Sequence, residues 1–234
     1  MTQNHPAPSI LSISERLSSV KSRINKARNK ITSPQEVTLL AVSKRHHHRA
    51  IQKAYDEGQR DFGENYLQEA LDKINTLNDL AIRWHFIGPI QSNKTRAVAE
   101  HFDWAHTVDR FKIAQRLASQ RPACKPPLNV CIQVNIDHEE SKSGVSEDEA
   151  IDLVNRLAQL PSLRLRGLMA IPDKRNSAQS FSRMQTLFSD IKTRCNLTDW
   201  DTLSMGMSGD LESAIANGAT MVRIGTDIFG KRAD

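Results

Sequence analysis

A chain of 234 residues, 38% hydrophobic and 25% charged, is long enough for one large α/β domain and has the make-up of an ordinary soluble globular protein. Its net charge of +5, from 32 basic and 27 acidic residues, falls short of the basic tracts of a nucleic-acid binder, and no stretch approaches the ~18 apolar residues of a membrane span. Cys124, Cys131 and Cys195 are odd in number and form no C-x-x-C pair, so they read as reduced structural thiols of a cytoplasmic protein.

Residues 1–10 hold no apolar core of a signal peptide, and residues 1–8 are read as disordered. Ile10, Ile13, Leu17, Val20, Ile24, Ala27 and Ile31 then repeat every three or four residues and predict an amphipathic helix over 9–32. Its other face carries Arg16, Lys21, Arg23, Lys26, Arg28 and Lys30. That face reads as solvated surface over a helix packed on the domain; a coiled-coil partner or an RNA-phosphate surface is the sharper alternative.

Eight short apolar runs follow, at 37–44, 60–65, 82–88, 103–109, 127–136, 163–171, 201–207 and 220–226. Several are β-branched or aromatic, as strands prefer. Segments of helical texture lie between them, at 50–57, 67–77, 94–100, 110–119, 147–160, 178–192 and 211–217. The fifth of these begins after Ser146, a suitable N-cap. Strand and helix alternating eight times is the grammar of parallel βα units, and eight of them in this length predict a single closed (β/α)8 barrel with an extra N-terminal helix. The structural alternative, an open doubly wound sheet, would carry a Gly-rich fingerprint after its first strand, where this chain has SKRHHH. The polar loop 137–144, DHEESKSG, reads as mobile.

A parallel barrel builds its site at the carboxyl ends of its strands. Those ends offer Ser43 and Lys44, then Gly63, Glu64, Asn65 and Tyr66, then His85 and Gly88. The last two offer Met207, Ser208 and Gly209, and Arg223, Gly225 and Thr226. MGMSGDLESA reads as a strand, a Gly/Ser turn and a helix start that Ser208 and Asp210 can cap; RIGTDIFG repeats the arrangement one unit later. Backbone N–H groups at such turns attract phosphate, and many barrels bind phosphate after strands seven and eight. Closure of the barrel would set Lys44 beside Arg223. Gly225 shares a face with Arg223 and leaves room for a ligand to approach the backbone. An amine, a phosphate cradle and an arginine suit pyridoxal phosphate, which has an aldehyde, a phosphate and a pyridine nitrogen. A phosphosugar aldolase would use the same three parts, so the residues alone leave both open.

The segments LLAVSK, FGENY, WHFIGPIQSNK, FDWAHTVDR, SKSGV, RLRGLMAIP, SMGMSGDLESAI and MVRIGTDIFG run in order from about residue 8 to residue 232. Together they resemble the pyridoxal phosphate homeostasis proteins. The resemblance implies an alanine-racemase-like TIM barrel, with pyridoxal 5'-phosphate bound as an internal aldimine to Lys44. It implies phosphate contacts from Ser208, Gly225 and Thr226, Arg223 facing the pyridine nitrogen, and Asn65 near the ring. His85 either lines the pocket or packs inside the barrel. Two positions depart from the family pattern. Arg45, His46, His47 and His48 follow the lysine, where relatives usually have threonine, lysine or proline-rich sequence. Zinc binding there is disfavoured, because adjacent side chains diverge and no carboxylate or cysteine lies at ligand spacing; a polar loop and helix start is the expectation. Asp227 stands where a small residue is common, and is expected to point away from the phosphate or cap a helix.

An arginine partner disfavours protonation of the pyridine nitrogen and so weakens the electron sink that amino-acid chemistry uses. A racemase also needs a second acid/base, which alanine racemases take from a C-terminal β-domain, whereas this sequence ends at Asp234. Of Tyr55 and Tyr66, the latter is near the mouth, but reads as packing. The expectation is a carrier and not an enzyme. It is a cytoplasmic monomer that holds pyridoxal phosphate and supplies it to apo-enzymes, with no metal, nucleic-acid or membrane partner. A weak or narrow pyridoxal-phosphate-dependent racemase or lyase is the competing expectation, and an interaction protein using the basic N-terminal helix is a third.

Overall fold

The computed structural model describes residues 11–32, 35–173, 175–195 and 197–230, so segment 1–8 and the first two residues of the predicted 9–32 helix lie outside the described residues. Eight strands alternate with helices along the chain. They are β1 (Thr38–Val42), β2 (Asp61–Glu64), β3 (Arg83–Phe86), β4 (Trp104–Val108), β5 (Leu128–Val134), β6 (Leu163–Ala170), β7 (Thr202–Ser204) and β8 (Met221–Ile224). Each lies within one of the apolar runs. They pair in sequence order, all parallel, and β8 returns to β1 with Leu40 opposite Arg223, closing the barrel. The runs are continuous rather than alternating because a parallel barrel buries both faces of each strand; β4 is buried at every position.

The helices are α1 (Ile13–Arg28), α2 (His48–Asp56), α3 (Leu67–Thr76), α4 (Thr95–His101), α5 (Phe111–Gln120), α6 (Glu147–Leu157), α7 (Ser177–Cys195), α8 (Leu211–Ala216) and the single turn α9 (Thr226–Phe229). Ser146 caps α6 in a capping box with Glu149. The same device at Ser12 and Glu15 sets the start of α1 at Ile13, inside the predicted span. His47 caps α2, its ring accepting from the Arg49 amide at 3.2 Å, so the histidine run is a helix start.

α1 buries Leu17, Val20, Ile24 and Ala27 against α2, α8 and α9, as its periodicity predicts. Its basic face departs from the expected solvated surface at Arg23. That side chain reaches across to Glu212 of α8 (2.7 Å), Asp227 of α9 (2.7 Å) and the Ser208 carbonyl (2.9 Å). A planar guanidinium on a long stem fits three acceptors at once, which a pattern of faces cannot foretell. Asp227 therefore turns to α1.

The barrel core is partly polar. Beside Leu40, Trp104, Cys131, Met169 and Met221, it encloses His85, His106 and Ser204 without solvent exposure. Burial pushes the Cys131 thiol up to about 12, which makes it inert. Asp61, at the amino end of β2, accepts from Arg83 (2.7 and 2.6 Å) and lies 3.0 Å from His85 Nε2. Burial alone would raise its pKa, but the His85 and Arg83 hydrogen bonds together outweigh it and hold the carboxyl at about 2, below its ordinary 3.8. A folded pKa below the unfolded one gives stability that is present above the unfolded value and lost as pH falls through the folded one. The Asp61 contribution, about 2 kcal/mol, should therefore vanish between about pH 4 and pH 2. Urea unfolding at stepped pH should show Asp61→Asn less stable than wild type at neutral pH and the gap narrowing over that window. A gap independent of pH would contradict this.

Candidate functional site

Lys44 follows β1 in a turn closed by the His46 amide on the Ser43 carbonyl (3.1 Å), and Arg45 takes the left-handed conformation with φ 62°. A non-glycine residue holds that conformation only when its surroundings enforce it. Here the enforcing groups come from α3. Lys73, itself 6% exposed, donates to the Ser43 carbonyl (2.8 Å), to Glu64 (2.7 Å) and to Glu69 (2.6 Å). Glu69 also accepts from the Arg45 amide (2.6 Å), and the Ser43 hydroxyl donates to Glu64 (2.6 Å). The peptide groups on both sides of Lys44 are thus tied to one buried ion cluster. Burial raises the Glu64 carboxyl pKa against the pull of Lys73.

Half-buried Lys44 lines a cavity of about 500 Å³ at the carboxyl ends of the strands, together with Asn65, Ser208, Arg223, Gly225 and Thr226. The structure so brings together the six residues to which the resemblance assigns cofactor contacts, from segments at opposite ends of the chain. Ile87, Met169 and Ile171 add apolar wall. Asn65 reaches its place because a glycine follows β3: a Cβ at Gly88 would come 2.0 Å from the Asn65 carbonyl oxygen. Its buried Oδ1 has no hydrogen-bond partner among the described residues.

Arg223 is 5% exposed. It donates to the Ser204 carbonyl (2.7 Å), the Ser204 hydroxyl (2.9 Å) and the Ala170 carbonyl (2.8 Å). Among the described residues no carboxylate pairs with it, and burial pushes its pKa down to about 10. Three of the five guanidinium N–H groups are engaged by the wall, and the Asp210 carboxylate of the same cavity acts on its charge through space without pairing with it. The turns at 208–209 and 225–226 complete the rim. Among the described residues, the amides of Ser208, Gly209, Gly225 and Thr226 donate to no backbone carbonyl. The expected capping of α8 is corrected here: Asp210 occupies the N-cap position, but its carboxylate accepts from the Met207 amide behind it (2.6 Å) and not from the helix. The Ser208 carbonyl is taken by Arg23.

His85 is inside the barrel and not in the cavity wall. Tyr66 is 46% exposed and is not a packing residue; its hydroxyl accepts from Arg45 (3.2 Å). The 137–144 loop, polar enough to read as mobile, is laced by Asn135, whose amide donates to the Glu139 (2.8 Å) and Lys142 (3.3 Å) carbonyls. Lys142 and Ser143 line a smaller adjoining cavity of about 230 Å³ that shares Asn65, Ile87 and Ile171 with the main one.

The family model of the alanine racemase N-terminal domain matches residues 16–233. The pyridoxal phosphate homeostasis protein of Pseudomonas aeruginosa is 55% identical over 225 residues, which are 94% of this chain and 96% of that protein. The chain belongs to this family. Another member, the pyridoxal phosphate homeostasis protein of Escherichia coli K12, is 54% identical over 228 residues, covering 94% of this chain and 97% of its own. PipY of Synechococcus elongatus, solved with PLP bound, superposes with a TM-score of 0.82 at 37% identity, covering 94% of this chain and all of that one. In this member of the family the Lys73 cluster and the Arg23 clamp are the parts that sequence reasoning missed. The one available signal was the Glu69–Lys73 spacing of four, which an exposed helix face would use equally well.

Proposed function

We propose that this chain binds pyridoxal 5'-phosphate covalently through Lys44 and serves intracellular pyridoxal phosphate homeostasis, holding the cofactor and supplying it to apo-enzymes rather than turning over amino acids. The observation that carries this reading is the meeting of Lys44, a buried guanidinium with no ion-pair partner among the described residues and two turns with available amides around one cavity. When bound, the cofactor supplies an aldehyde that condenses reversibly with a primary amine. Lys44 would provide the amine. Ser208, Gly225 and Thr226 would hold the phosphate, where the backbone N–H groups of the two turns favour an anion. Asn65, with its unpartnered acceptor, would meet the ring. Gly209 suits close approach: a Cβ there would touch nothing within 4 Å, so the space in front of that turn is open, whereas a Cβ at Gly225 would meet the Val42 carbonyl oxygen at 3.2 Å.

Arg223 would face the ring nitrogen. A guanidinium only donates, so it holds that nitrogen unprotonated and weakens the electron withdrawal that chemistry at an α-carbon needs. Asp210 is the one carboxylate in the described cavity wall, and its Oδ1 is held by the Met207 amide. No second acid/base is therefore poised opposite Lys44 among the described wall residues, which supports a carrier. No helix among the described residues is long and apolar enough to cross a membrane.

Two readouts separate carrier from enzyme. Loaded protein incubated with single amino acids in deuterated water should give no α-carbon exchange beyond a stoichiometric amount, read by mass spectrometry. Mixed with an apo-enzyme, it should restore activity faster than its cofactor escapes into free solution. Steady incorporation over many turnovers would replace the carrier reading with that of a racemase or lyase.

A further inference from the structure

The polar groups inside the barrel form a line that the cavity does not account for. Arg223 Nη1 lies 2.9 Å from Ser204 Oγ, and Ser204 Oγ lies 3.2 Å from His106 Nδ1. His106 Nε2 lies 3.0 Å from His85 Nδ1, and His85 Nε2 lies 3.0 Å from Asp61 Oδ1. The five residues stand on β8, β7, β4, β3 and β2. Arg223 is at the cavity, whereas Asp61 and its partner Arg83 are the first residues of β2 and β3, at the opposite end of the barrel. Ser204, His106 and His85 are wholly enclosed, so each donor and acceptor must be matched within the line. Burial lowers the pKa of both imidazoles, keeping them neutral.

The two ends decide where the protons sit. A guanidinium can only donate and an ionised carboxylate can only accept. Arg223 thus donates to the Ser204 hydroxyl, which passes its single proton to His106 Nδ1. His106 is then protonated on Nε2 and donates to His85 Nδ1. His85 is protonated on Nε2 and donates to Asp61. Every link agrees in direction. With the opposite tautomer, His85 would set a bare nitrogen against the Asp61 carboxylate, lone pair against lone pair.

We propose that Ser204, His106 and His85 are positioning residues for Arg223: the chain fixes the Ser204 hydroxyl as an acceptor, holds the guanidinium in its cavity-facing orientation, and anchors it to the Asp61–Arg83 pair across the barrel. The consequence for the cofactor rests on the proposed function; the geometry does not. None of the three residues touches the cavity, and their effect is on how firmly Arg223 is held.

The test has two arms. In the cofactor-free protein, long-range ¹H–¹⁵N correlation of the imidazole rings reads each tautomer. His85 and His106 should both be neutral with the proton on Nε2, and Ser204→Ala should move the His106 Nδ1 resonance. A cationic ring, or a proton on Nδ1 of either histidine, would overturn the chain whether or not the protein binds pyridoxal phosphate. In the loaded protein, Ser204→Ala should release the cofactor about tenfold faster, as for the loss of one hydrogen bond to a charged group, and should displace the absorption maximum of the bound cofactor. Unchanged release and an unchanged band would overturn the positioning role. Failure of wild type to take up cofactor, with the tautomers as stated, would overturn the cofactor reading alone.

Discussion

Lys44→Ala will fold and will not retain pyridoxal phosphate. Wild-type protein is expected to be yellow after loading, and the variant colourless, with the band of the covalently held cofactor abolished. What remains would be attraction of the phosphate to the rim amides and of the ring nitrogen to Arg223, weaker by about a hundredfold or more, since a reversible covalent bond is gone. Folding is expected to survive because the turn is held from outside the Lys44 side chain: the Ser43 carbonyl and the Arg45 amide are anchored by Lys73 and Glu69. Absorbance, equilibrium dialysis and a thermal melt on the same preparations separate the two effects. A variant that keeps the band would place the covalent attachment elsewhere.

Lys73→Met should be the most destabilising single change near the site, by about 3–5 kcal/mol in urea unfolding, because it leaves a buried carboxylate without its cation. Glu64 has no solvent exposure, and one of its oxygens already lacks a partner among the described residues. The folded protein can relieve this by protonating Glu64, whose pKa burial already raises. A raised folded pKa favours the protonated form, so the deficit of the variant should shrink as pH falls below neutrality. Combining Lys73→Met with Glu64→Gln should recover part of the stability and little of the cofactor retention, because the Ser43 carbonyl stays unanchored. A loss below about 1 kcal/mol would mean that water replaces the amine and that the cluster does not hold the turn.

The barrel itself was legible in the sequence because its strands are buried on both faces and therefore appear as unbroken apolar runs, in an order that only one closed topology accommodates. The candidate site was legible to the same extent, since Lys44, Arg223 and the two Gly/Ser turns carry distinct chemistry and lie at strand ends. The rest depended on partners that local pattern does not encode. Lys73 occupies a helix position that charge spacing assigns to the surface; only the packing of α3 beneath the β1 turn buries it. Arg23 belongs to a basic face, yet its three acceptors come from residues 208–227, far along the chain. Asp210 sits where a cap belongs, but the Met207 amide is closer to hand. The sequence allows His85 either the pocket or the barrel interior, because alternation along β3 does not say which face is which. Its full enclosure and its stacking on Trp104 settle it, and with it the unforeseen line to His106.

One measurement bears most directly on the central claim that the end of the first strand and the turns after the last two strands form a single covalent cofactor site. The loaded protein is reduced with borohydride, digested, and mapped by peptide mass spectrometry. The phosphopyridoxyl group is predicted on Lys44 at close to one per chain. Its absence, or its location on Lys142 or another lysine, would contradict the account.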